Sequence, residues 1–227
     1  SSGDRRMTSL GVRVTDSGPQ FRSSPLRRLA LLAALAVATP AAAQPAPAEH
    51  QLLHELAGAV SPERQRATIT RLVGFGTRHT LSDAKSPTRG IGAARRWVAS
   101  EFTAISKDCG GCLSVETPSQ IVSGTTRIPN PTEVMDVLAI QRGTTDPERV
   151  IVISGHLDSR VTDPMNFTSD APGANDDASG TAAVIEAARG LSKYRFPATL
   201  VFAALSGEEQ GLHGGKVLAD YATAHGW

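Results

Sequence analysis

Aromatic residues make up only 4% of the 227 residues, so the core has to be assembled from Val, Leu, Ile and Ala. Cysteine is nearly absent. Cys109 and Cys112 are the only two, too few for a four-ligand structural zinc site. No G-x-S-x-G elbow and no G-x-x-x-x-G-K loop occurs, which leaves serine-hydrolase and phosphate-loop chemistry without support. His54-Glu55 has no partner histidine downstream to make His-Glu-x-x-His, and His50 and His54 read as a solvated helix face. Internal repeats are also missing. Hydrophobic residues at 40% and charged residues at 20% are ordinary for a globular chain of one domain with a sizeable core.

A long apolar run is lacking as well. Leu29 to Val37 is the longest, about half the ~20 residues that span a bilayer. Arg22, Arg27 and Arg28 precede it, and Pro40 with Ala41-Ala42-Ala43 follows. A basic segment, a short apolar run and a small-residue end form a secretory signal peptide, so residues 1–43 are assigned to a leader and signal peptide. No stable membrane anchor is expected, and the location is secreted or periplasmic. The first 43 residues carry six Lys/Arg and two Asp/Glu, so the remainder has 17 basic and 20 acidic residues, a net of −3. No basic stripe survives, which argues against nucleic acid. In an oxidising compartment Cys109-Gly110-Gly111-Cys112 reads as a small structural disulfide. Asn166-Phe167-Thr168 fits a glycosylation sequon, a pattern short enough to occur by chance.

Residues 44–60 read as a linker and amino-terminal segment, beginning with the Pro/Ala-rich stretch 44–48. Ser61-Pro62-Glu63 is a helix start, with a capping serine, proline at the first helical position and an acid in the first turn. Gly74 can end that helix. Ile91, Ala94, Trp97, Val98, Phe102 and Ile105 recur at helical spacing within 89–105. Strands are expected at 113–121, 134–141, 150–153 and 199–205, with helices at 178–191 and 215–224. Val150-Ile151-Val152-Ile153 has the composition of a strand buried on both faces. This order gives a βαβ unit in an α/β sheet with covered faces, where ligands bind beyond the carboxyl ends of the strands.

Three polar clusters stand at those ends: Gly155-His156-Leu157-Asp158-Ser159, Pro172-Gly173-Ala174-Asn175-Asp176-Asp177-Ala178-Ser179-Gly180, and Ser206-Gly207-Glu208-Glu209-Gln210-Gly211. One imidazole among several carboxylates suits a divalent metal, zinc above all. His-x-Asp places two side chains on one side of an extended chain, though alone it is an ordinary surface turn. Asp176-Asp177 before a helix is explained by capping, yet one acid can cap while its neighbour binds a metal. Glu208-Glu209 is harder to explain structurally, because adjacent carboxylates at the end of a buried strand repel unless a cation is near.

Together the clusters resemble the secreted zinc aminopeptidases of the M28 peptidase family, of the bacterial leucyl aminopeptidase type. The resemblance is good over 134–215 and looser elsewhere. It implies a phosphorylase/hydrolase-like α/β domain, a mixed sheet with helices on both faces, over residues 61–227. It also implies a co-catalytic pair of zinc ions and peptide substrates. By position, His156 would bind one zinc, Asp176 would bridge both, and Glu209 would bind the second. Glu208 would be the general base, and Asp158 would hold His156 in place. Asn175 stands where many relatives carry Asp. The family pattern needs a further Asp and a late His. After Glu209 only His213, His225 and Asp220 remain, and neither histidine matches. The sequence is therefore expected to be the amino-terminal portion of such an enzyme. Other zinc amidohydrolases of this fold, a carboxypeptidase or a glutaminyl cyclase-like enzyme, and a non-catalytic remnant are the alternatives. Oligomeric state is open.

Overall fold

The computed structural model describes residues 50–227, so the leader and signal peptide assigned to 1–43 lie outside the described residues. The segment read as a linker contains a short exposed helix, α1 (Gln51–Gly58). Helix α2 (Pro62–Val73) starts where its sequence requires: the Ser61 hydroxyl accepts from the Arg64 N–H at 3.1 Å, with Glu63 in the first turn. A long helix, α3 (Gly90–Asp108), follows and buries the apolar stripe Ile91, Ala94, Val98, Phe102 and Ile105.

Two stretches that read as single strands are each divided. Residues 113–121 split into β1 (Ser114–Glu116) and β2 (Ser119–Val122), and 134–141 into β3 (Thr132–Met135) and β4 (Val137–Gln141). β2 and β3 form a separate antiparallel hairpin. The break falls at Asp136, whose N–H turns to Pro118 O and whose side chain turns inward. β5 (Asp146–His156) leads into the loop that carries the first cluster. A loosely wound turn, Ala174–Ala178, then enters α4 (Ser179–Leu191), β6 (Ala198–Leu205) and α5 (His213–Ala224).

The main sheet has the order β1-β4-β6-β5, antiparallel except for β5 beside β6. It is the expected mixed sheet, and β5-α4-β6 is the expected parallel crossover unit. Alternation along β4 and β6 sends Val137, Ala139, Leu200, Phe202 and Ala204 to one face, under α3 and α4. Leu138, Val201 and Ala203 go to the other, where Leu218 and Tyr221 of α5 cover them. Helices thus lie on both faces. Cys109 and Cys112 close a loop at the end of α3, with Cα atoms 5.5 Å apart and their sulfurs bonded.

β5 departs from the expectation of a strand buried on both faces: Ile151 is 43% and Val152 45% exposed. The physical reason is its place at the end of the sheet, with a partner on one side alone among the described residues. An apolar β-branched edge is a template for pairing with another chain.

Asp136 is fully buried. Its Oδ1 accepts from Ser206 N at 2.8 Å, while Oδ2 has no partner. Burial pushes its carboxyl up to about 7, with Asp158 adding to the rise, against the Ser206 bond and the nearby Arg95. The folded chain therefore holds a proton here that the unfolded chain releases near the ordinary Asp value. The stability this supplies is full at acid pH and is lost as pH rises through about 7.

Two outcomes are expected. Asp136→Asn keeps the acceptor for Ser206 and removes the buried charge, so its advantage in melting temperature over wild type should grow between about pH 5 and pH 8. An advantage independent of pH would show that ionisation of Asp136 is not what costs stability. A chain of residues 44–227 should self-associate on size exclusion through β5, and Ile151→Lys with Val152→Lys should shift it toward monomer. Unchanged elution would remove β5 as the contact.

Candidate metal centre

The three clusters converge at the carboxyl ends of β5 and β6. Gly155 and Gly180 allow it. A Cβ on Gly155 would lie 2.6 Å from the carbonyl carbon of Gly180, and one on Gly180 would lie 2.3 Å from the Asp177 carboxylate. Only without those side chains can the end of β5 pack on the start of α4.

The two adjacent aspartates take separate tasks. Asp177 accepts from Gly180 N at 2.7 Å and from His156 N at 2.9 Å, capping α4 and fixing the backbone of the histidine. Asp176, joined to it through a cis peptide bond, turns outward and places Oδ1 2.9 Å from His156 Nε2. Glu208 Oε2 lies 3.9 Å from the same nitrogen. One imidazole nitrogen thus faces oxygens from two different loops. Burial alone would lower the His156 pKa, but Asp158, Asp177 and Glu208 outweigh it and raise it to about 9. Burial raises the Glu208 carboxyl; His156 pulls it down, while Asp158, Glu209 and Asp176 add to the rise.

Asp158 adjoins His156 and also holds the neighbouring loop. Its carboxylate is 3.6 Å from His156 Nδ1, too far for a hydrogen bond, and Nδ1 instead meets the Asp158 backbone carbonyl at 3.2 Å. The fully buried carboxylate accepts from Glu208 N at 3.2 Å, Glu209 N at 3.1 Å and the Thr80 hydroxyl at 2.9 Å. It fastens the β6 loop to the β5 loop. Glu209 is turned from His156 onto Arg160, whose Nε donates to Oε2 at 2.6 Å. Even so, Glu209 and Asp176 line one cleft of about 410 Å³ with Arg160, Asn175 and Gly173. His213 and His225, which did not fit the family pattern, sit at the two ends of α5.

Among the described residues no three His, Cys, Asp or Glu side chains are already closed around one point. The donor set nevertheless fits a divalent ion. It offers a neutral-capable imidazole nitrogen whose ring is fixed from its other side, an outward carboxylate at 2.9 Å, and a second carboxylate at 3.9 Å.

Sequence reasoning missed the residues that hold these loops. Arg78 is 1% exposed, and its guanidinium donates to the carbonyls of Leu157, Leu72, Pro172 and Gly173 at 2.7 to 3.3 Å. Burial lowers it to about 10, partly offset by Asp158 and Asp177. Beside it, His79 Nδ1 accepts from Leu81 N at 3.0 Å, which leaves the ring proton on Nε2, 3.0 Å from Pro164 O. Burial lowers the His79 pKa, partly offset by the Pro164 carbonyl, Asp158 and Glu209. Gln210, next to Glu209, places its amide 2.9 Å from that nitrogen. The segment Gly76-Thr77-Arg78-His79-Thr80 follows a helix and has neither helical nor strand periodicity, so no local pattern marks it.

Residues 136–226 match the profile of Peptidase family M28. A probable zinc metalloprotease of Pyrenophora teres f. teres is 51% identical over 175 residues, which is 77% of this chain and 36% of that protein. The chain thus spans about a third of the length of that curated relative. Among solved structures, LapB from Legionella pneumophila superposes with a TM-score of 0.58 at 26% identity, covering 78% of this chain and 43% of that one. The LapA aminopeptidase of the same organism gives 0.57 at 20% identity, with the same 78% and 43% coverage, and shows the shared fold. The family match spans the stretch that brings Glu208 and Glu209 to His156 and Asp176, and over it residues 136–226 belong to peptidase family M28.

Proposed function

We propose that this cleft is the zinc centre of an exported peptidase that removes residues from the amino terminus of peptides, with two ions in the working enzyme. The observation that carries the reading is that Asp176 Oδ1 lies 2.9 Å and Glu208 Oε2 3.9 Å from His156 Nε2, at the ends of two neighbouring strands. The curated relative is named a probable zinc metalloprotease, and the LapA structure, named an aminopeptidase, shares the fold. In this reading His156 would hold one ion and Glu209 the second, with Asp176 as a further ligand.

Bound zinc supplies Lewis acidity, polarising the scissile carbonyl and lowering the pKa of water. The chain's own residues do the rest. Glu208 lies 3.9 Å from His156 Nε2 with a carboxyl that burial has made more basic, and it takes the proton of the attacking water and delivers it to the leaving amine nitrogen. Asp158 fixes the backbone of Glu208 and Glu209, and Asp177 that of His156, so base and ligands keep their spacing. Export through the 1–43 leader places the Cys109–Cys112 disulfide where it persists.

In the full-length enzyme, Glu208→Ala should lower kcat by about 10²–10⁴-fold with zinc content unchanged. Retained turnover would remove Glu208 as the base. Reporter peptides should be cleaved when the amino terminus is free and spared when it is acetylated. Release of carboxy-terminal residues instead would replace the aminopeptidase reading by a carboxypeptidase one.

A further inference from the structure

Glu209 is held from two sides by arginines of different loops. Arg127, in the β2–β3 hairpin loop, donates from Nη1 to the Glu209 backbone carbonyl at 2.8 Å. Arg160, just past the first cluster, donates from Nε to Glu209 Oε2 at 2.6 Å. The Arg160 guanidinium is itself tethered, since its Nη1 donates to Val161 O and Thr162 O, each at 3.2 Å. The two side chains of this ion pair are 33% and 11% exposed, so the arginine reaches water more freely than the carboxylate it neutralises. Both line the cleft that also contains Asp176.

We propose that Arg160 is a built-in counter-ion that a metal must displace from Glu209, so that Arg160 sets how tightly the second metal position is filled. The inference rests on the zinc reading above. A carboxylate this buried is costly to leave without a cation, and Arg160 provides one until a metal arrives. Once a dication is bound, the same guanidinium becomes a like charge within a few ångströms, in a cleft where screening by water is incomplete. The Arg160 bonds to Val161 O and Thr162 O keep it there after the exchange. Arg160 also fixes the rotamer of Glu209, which works in the opposite direction. Repulsion between a unit charge and a dication at this range outweighs the rotamer freedom of one glutamate, so the net effect of Arg160 is to weaken metal binding. Arg127 touches only the backbone of Glu209 and keeps the loop in place throughout.

The test is a zinc titration of the full-length apoprotein against a chromophoric chelator, with Arg160→Met and Arg160→Lys beside wild type. Arg160→Met should tighten the weaker of the two sites by about tenfold and leave the tighter one unchanged. Arg160→Lys, which keeps the charge, should stay close to wild type. Arg160→Gln gives the same reading as Arg160→Met should the latter fail to fold. Zinc bound by the neutral variants as weakly as by wild type, or more weakly, overturns the proposal and makes Arg160 a support for Glu209. Wild type that binds no zinc would overturn the metal reading itself, and this inference with it.

Discussion

Everything at the carboxyl end of the sheet depends on a buried cation that has no carboxylate in bonding contact. Arg78 spends its guanidinium on four backbone carbonyls, from the end of α2, the loop after β5 and the turn before α4. Loop carbonyls have no ladder to satisfy them, and a buried one without a donor is costly. A planar fork of five donors meets several at once, which lysine cannot do. The charge is balanced at longer range by Asp158 and Asp177, the same two acids that fasten Glu208, Glu209 and His156. Removing either the fork or those acids would leave the other half buried and unanswered.

The sheet and its helices were legible in the sequence because they obey short-range rules. Ser61-Pro62-Glu63 starts a helix by local capping, and Leu200 to Ala204 reads as a strand because its alternate residues serve two cores. The convergence of the polar clusters was legible for a similar reason, since strand ends aim adjacent polar residues at one edge. What could not be read was pairing at a distance. The break at Asp136 depends on Pro118 and Ser206, 18 and 70 residues away. The exposure of Ile151 and Val152 depends on which strands flank β5, and composition alone is the same for a central strand and an edge. The role of Asp158 was half visible: its nearness to His156 follows from spacing, but its bonds to the Glu208 and Glu209 amides span 50 and 51 residues.

Arg78 and Arg160 show why charge alone does not identify function. Both are arginines beside the same acidic cluster, and neither belongs to a recognisable motif. Arg78 is buried, donates only to backbone carbonyls and has a lowered pKa, which marks a group paid for by architecture. Arg160 is a third exposed and donates to a carboxylate facing an open cleft, so its partner can change without unfolding anything. Burial and the identity of the acceptor separate the two, and neither is available from sequence.

The charge balance of the cleft completes the argument. Asp158, Asp176, Asp177, Glu208 and Glu209 gather where two strands end. Asp158 and Asp177 are consumed by backbone amides. Asp176 and Glu208 turn toward a single imidazole, and Glu209 toward a single guanidinium. A fold selected for stability alone would not gather these three carboxylates beside one imidazole and one guanidinium, because apolar residues of similar size would pack there at less cost. In the proposed reading a stronger cation would take those oxygens, and the histidine would give up its proton to become a ligand. Peptide hydrolysis needs that combination: a Lewis acid at the carbonyl and a free carboxylate within reach of water. In the proposed reading Glu209 would hold the Lewis acid and Glu208 would be the free carboxylate, neighbours in sequence told apart by which one Arg160 holds.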